Sequence, residues 1–127
     1  MPQIYMIVTP HAKDVLMPGI DLLASNLILA VEKGFGIDGL KDTAFTVPAP
    51  VLYIDGEKEV QIEIRYTAGE DEYDRGQPFD PSLEDQGKLA GFIEKVFREF
   101  CDQHHLERLS LSVWCKPYYR SAFREFD

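Results

Sequence analysis

Residues 60–67, VQIEIRYT, are the stretch from which the fold begins to be read. Val60, Ile62, Ile64 and Tyr66 alternate with Gln61, Glu63, Arg65 and Thr67. Successive side chains of a strand point to opposite faces, so the run is a strand with one buried and one polar face.

Upstream of it, residues 48–59, PAPVLYIDGEKE, form a connection. Pro48 and Pro50 forbid central ladder positions, and the Asp55-Gly56 pair marks a tight turn. Before that connection, LKDTAFTV (40–47) is a second, shorter strand. At the chain's beginning, Gln3 to Thr9 is an apolar strand closed by the turn-like TPHAKD (9–14). Between these two strands lies MPGIDLLASNLILAVEKG (17–34), which carries helix signals. Pro18 suits a first helical turn, Asp21 the positive end of the dipole, and Gly34 the left-handed residue after a helix. Ile20, Leu23, Ala24, Leu27, Ile28 and Val31 make one apolar stripe, widened by Leu22 and Leu29. A stripe that wide implies burial against a sheet and against a second subunit.

Downstream, AGEDEYDRGQPFDP (68–81) is an acidic loop lacking the glycine and glutamate spacing of a calcium-binding loop. Ser82 then caps a helix, with Asp85 answering from the third position. Leu83, Leu89, Ile93, Val96, Phe97 and Phe100 lie on one side of that helix. Leu109, Leu111, Val113 and Cys115 alternate with Ser110, Ser112 and Trp114 in a fourth strand, before an aromatic tail.

The order is strand–helix–strand, twice, and a right-handed crossover makes each pair of strands parallel. One α/β (α+β) domain over residues 1–127 is expected, with pseudo-repeat halves of about 1–57 and 58–127. Two architectures fit this order: a ferredoxin-like sandwich and a duplicated β-α-β fold. Periodicity does not choose between them.

Totals narrow the function classes. Apolar residues are 45% and charged residues 28% of 127, a globular mix. The formal charge of -9 disfavours phosphate backbones, so no nucleic-acid partner is expected. No apolar run comes near the roughly 20 residues of a membrane span, so no membrane partner is expected. Cys101 and Cys115 are too few for a disulfide framework and fit a cytoplasmic protein with reduced thiols. Cys101 and His105 stand four apart, but a zinc site needs two further ligands and no CxxC or HExxH occurs. No metal is expected.

MP opening the first strand, PG opening the first helix and FGIDGLKDT (35–43) leading into the second strand together resemble the tautomerase superfamily. Within it, the chain is most similar to the 5-carboxymethyl-2-hydroxymuconate isomerases, and LERLSLSVWCKPYYRSAFREF (106–126) resembles their last strand and tail. The resemblance implies a four-stranded mixed sheet with two helices on one face, assembled as a homotrimer. It also implies a cofactor-free keto–enol isomerisation of a small unsaturated 2-hydroxy or keto acid. Pro2 would be the general base and acid, which requires that Met1 be removed to free its nitrogen. Neighbouring cations and an apolar pocket disfavour a protonated amine, so its pKa falls toward working pH.

Lys41 stands where the family has an arginine, and Thr43 where it has a second one. Lys41 keeps the charge without the bidentate fork, and Thr43 keeps neither. Arg65 and Lys33 are further candidate cations for the substrate, and Trp114 a candidate pocket wall. Two other readings stay open: a non-catalytic oligomer of the same fold, and a ferredoxin-like ligand-binding module.

Overall fold

The computed structural model describes residues 2–36, 43–68 and 81–119. Strand β1 (Gln3–Val8) leads into helix α1 (Pro10–Leu16), a 3-10 turn (Met17–Gly19) and helix α2 (Ile20–Phe35). Strands β2 (Ala44–Thr46) and β3 (Val60–Ala68), helix α3 (Leu83–Gln103) and strand β4 (Leu111–Tyr119) follow.

The sheet order is β2-β1-β3-β4. β1 runs parallel to β2, β3 parallel to β4, and the central pair β1 and β3 antiparallel. Each strand–helix–strand unit therefore joins two adjacent strands. A ferredoxin-like sandwich splits each unit around another strand. Adjacency settles the choice for the duplicated β-α-β arrangement.

Register follows the alternation seen in residues 60–67. Val60, Ile62, Ile64, Tyr66 and Ala68 are all buried, in line with Ile4, Met6 and Val8 of β1. They share one core with Leu23, Leu27 and Val31 of α2 and Ile93, Phe97 and Phe100 of α3. Both long helices thus cover the same face. A slip of one residue would move the whole apolar row to the other face. Each buried Ile or Leu is worth about 1.5–3 kcal/mol, against about 1 kcal/mol or less for an exposed ion pair. The apolar row fixes the register.

Three local expectations are corrected. TPHAKD is not a turn: Thr9 caps α1, its Oγ1 accepting from Ala12 N at 3.4 Å, with Pro10 in the first turn. Its polar residues resemble a loop, but a capping Thr followed by Pro is also a helix start. The second helix runs past Gly34 to Phe35, and the left-handed residue is Gly36, at φ 69°. Strand β4 continues beyond Cys115 to Tyr119. Pro117 is tolerated there because β4 is an edge strand.

Within Pro10–Phe35, an 18-residue window has a mean hydropathy of 1.6, and the stretch is long and apolar enough by length and composition to cross a membrane. The expectation that no such run exists missed it because Lys13, Asp14 and Asp21 interrupt the apolar letters. In the fold, Ala12, Leu16, Leu23, Leu27, Ala30 and Val31 of this stretch are buried in the common core.

Candidate functional site

Pro2 precedes β1 and is buried. Its carbonyl accepts from Ala44 N at 3.2 Å, tying the chain start to β2. Gln3 pairs with Ala44 on one side and Arg65 on the other, so the next row is Thr43, Pro2 and Tyr66. Rows alternate between faces, which puts these three on the helix-covered side. Thr43 is 5% and Tyr66 2% exposed. Phe35, at the end of α2, meets the Tyr66 ring edge-on at 5.0 Å between centroids. Glu32, one turn earlier on α2, is also buried. Two hydroxyl-bearing side chains therefore flank Pro2. The Thr43 hydroxyl has no hydrogen-bond partner among the described residues.

The other face of the same sheet end is open. A cavity of about 410 Å³ there is lined by Gln3, Arg65, Tyr66, Thr67 and Tyr118. Gln3 and Tyr66 are the covalent and cross-strand neighbours of Pro2, so the cavity begins beside that residue. Pro2 itself is buried and is not among the residues that line the cavity.

Arg65 enters this cavity under restraint. Its Nε and Nη2 donate to Glu63 Oε1 at 3.3 and 3.2 Å, and its guanidinium lies 3.9 Å from the Tyr5 ring centroid. Lys116 Nζ reaches the same Oε1 at 2.9 Å, and Gln61 Nε2 donates to Oε2 at 3.0 Å. The Glu63 side chain is only 4% exposed. Burial pushes its pKa up, but the bonds from Lys116, Gln61 and Arg65 outweigh this and hold it below the ordinary carboxylate value.

The remaining expected site residues are dispersed. Trp114 pairs with Glu63 across the strands and is 55% exposed, one row from Arg65 on the open face. Lys33 lies in the helix layer, lining a groove of about 270 Å³ with Leu29, Phe92 and Glu99. Lys41 and the acidic loop 70–80 lie outside the described residues. Lys116 was missed, because the fourth strand was ended at Cys115. The same alternation carried further puts Trp114, Lys116 and Tyr118 on one face. Among the described residues, no three His, Cys, Asp or Glu side chains gather where they could hold a metal ion. His104 instead stacks on Phe100 at 4.3 Å, with its Nδ1 2.9 Å from the Phe100 carbonyl.

A 5-carboxymethyl-2-hydroxymuconate delta-isomerase superposes with a TM-score of 0.58 over 100% of this chain and 87% of its own, at 13% identity. The fold is tautomerase-like. A Vibrio cholerae protein of unknown function matches with a TM-score of 0.61 at 14% identity, covering 98% of this chain and 83% of that one. A domain of unknown function from Sebaldella termitidis gives 0.59 at 13% identity, covering 98% and 95%. No protein-family model and no curated protein matches the sequence. The tautomerase-like likeness is carried by the mixed four-stranded sheet and its two covering helices.

Proposed function

We propose that this chain is a cofactor-independent tautomerase or isomerase of a small unsaturated 2-hydroxy or keto acid. The observation that carries the proposal is the cavity of about 410 Å³ that begins at the neighbours of Pro2 and holds Arg65. With Met1 removed, the Pro2 nitrogen takes a proton from the substrate hydroxyl or carbon and returns it at the other end of the conjugated system. A cation holds the carboxylate and stabilises the developing enolate oxygen. Arg65 is the described residue best placed for that role. Lys41 and Lys33 are further candidates, and Trp114 a wall for the apolar part of the substrate.

The protein acts in this proposal as a cytoplasmic homotrimer. Its two free cysteines fit a reducing compartment. Exposed Leu22 and Leu29 supply apolar surface for subunit contacts.

The test is direct. Intact mass of protein from the native source is expected to show loss of Met1. Conversion of phenylenolpyruvate to its keto form should then be measurable and should vanish in Pro2→Ala. Retained Met1, or an undiminished Pro2→Ala rate, overturns the proposal. A non-catalytic oligomer is the second reading, favoured by the buried ring of Pro2 and its bond to Ala44, which suffice to seat a strand. Trimeric sedimentation without turnover by the Met1-free protein would select it.

A further inference from the structure

We propose that Glu63 and Lys116 act together as positioning residues that leave Arg65 charged toward the cavity, so that the site selects a monocarboxylate with an aromatic or apolar group. The inference rests on the proposed function for its biological meaning but not for its test.

Arg65 and Lys116 are directly opposed on neighbouring parallel strands. Strands in a sheet lie about 4.8 Å apart, so the two cations would repel without an anion between them. Glu63 supplies that anion through a single oxygen, 2.9 Å from Lys116 and 3.2 Å from Arg65. Its other oxygen is taken by Gln61. With two cations to one carboxylate, the cluster keeps one net positive charge.

Exposure shows which group can use it. Glu63 is sealed at 4%, whereas the Arg65 and Lys116 side chains are 33% and 41% exposed. Arg65 lines the cavity. Lys116 shares the load of Glu63, so Arg65 is not fully neutralised by it. The Tyr5 ring beneath the guanidinium fixes its plane, which spares ordering cost on binding. One incoming carboxylate brings the cluster to neutrality. A second would stand beside Glu63 with no cation of this cluster left for it. Tyr118 in the cavity wall and Trp114 one row away offer flat apolar surfaces to the rest of the ligand.

The experiment uses inert ligands, so binding is separated from turnover. Trp114 is the single tryptophan, and its fluorescence reports on this face. Phenylacetate and phenylmalonate differ by one carboxylate and are titrated against the full-length protein and its Pro2→Ala variant. In each form phenylacetate should bind about tenfold more tightly than phenylmalonate. Lys116→Gln should weaken phenylacetate by about tenfold, because Glu63 then cancels Arg65. Glu63→Gln should reverse the order in favour of phenylmalonate. Equal binding of the two ligands, or phenylacetate affinity unmoved in Lys116→Gln, overturns the inference. So does a ligand order unchanged in Glu63→Gln, since a merely structural role would lower both affinities together. Absence of phenylenolpyruvate turnover would defeat the proposed function and leave this binding order standing.

Discussion

Lys116 Nζ lies 2.9 Å from Glu63 Oε1, on the sheet face that no helix covers, yet the Glu63 side chain is only 4% exposed. The cover comes from the carboxylate's own partners, whose long side chains lie over it. Removing the carboxylate should therefore do more than delete an ion pair, because two adjacent cations lose the group that reconciles them. Glu63→Ala is expected to cost about 2–3 kcal/mol in urea unfolding at neutral pH. A cost below about 0.5 kcal/mol would mean that the cluster is an ornament of an exposed face.

Acid should act on the same cluster. The native pKa of Glu63 is held below its ordinary 4.5, so in acid the unfolded chain binds a proton that the folded one still refuses. Its stabilisation is full above about pH 4.5 and fades as pH falls through the lowered native value. The stability difference between the native protein and Glu63→Gln should be constant from pH 6 to 5 and shrink below 4.5. A difference that holds unchanged to pH 3 would contradict the bonding around this carboxylate.

Much of the fold was legible because its signals are local. Alternation over residues 60–67 is a property of the strand itself, and the buried row Val60, Ile62, Ile64, Tyr66 follows it, with Glu63, covered on the opposite face, the one departure. The Ser82 cap was equally local, with its hydroxyl 3.1 Å from Asp85 N. Strand order was not local: adjacency of β1 with β2 is a fact about crossovers, and the same string of elements fits two sheets. Part of the site stayed hidden for a related reason. Arg65 could be named from its own strand, but its partner Lys116 is known only through the register of β3 with β4. Lys33, next to a helix end in sequence, faces the groove between helices, which the helix stripe alone does not reveal.

Helix packing makes a sharper prediction at Gly19. A Cβ there would stand 2.8 Å from the ring tip of Phe100, which is 1% exposed and has nowhere to go. The backbone at φ -114° tolerates any residue, so the cost of Gly19→Ala is steric alone. It should destabilise by about 1–3 kcal/mol in thermal unfolding. Gly91, inside α3 and with nothing within 4 Å of its added Cβ, is the control. Gly91→Ala should stabilise by about 0.5–1 kcal/mol through lost chain entropy in the unfolded state.

The Cys115 thiol ties β4 to α3 by donating to the Gln86 carbonyl at 3.5 Å, and burial pushes its pKa up to about 11. The thiolate is the nucleophile, so native Cys115 should resist iodoacetamide at pH 8 and react rapidly once the chain is unfolded in urea. The linkage runs opposite to that of Glu63. Above pH 9 the unfolded chain gives up a thiol proton that the folded one keeps, so stability declines between pH 9 and 11. Lysines and tyrosines titrate in the same range, which makes the comparison with Cys115→Ala necessary. The native protein should lose about 2 kcal/mol more than that variant over the interval. Parallel curves, together with fast alkylation of the folded protein, would place the thiol in water instead of between the sheet and its helix.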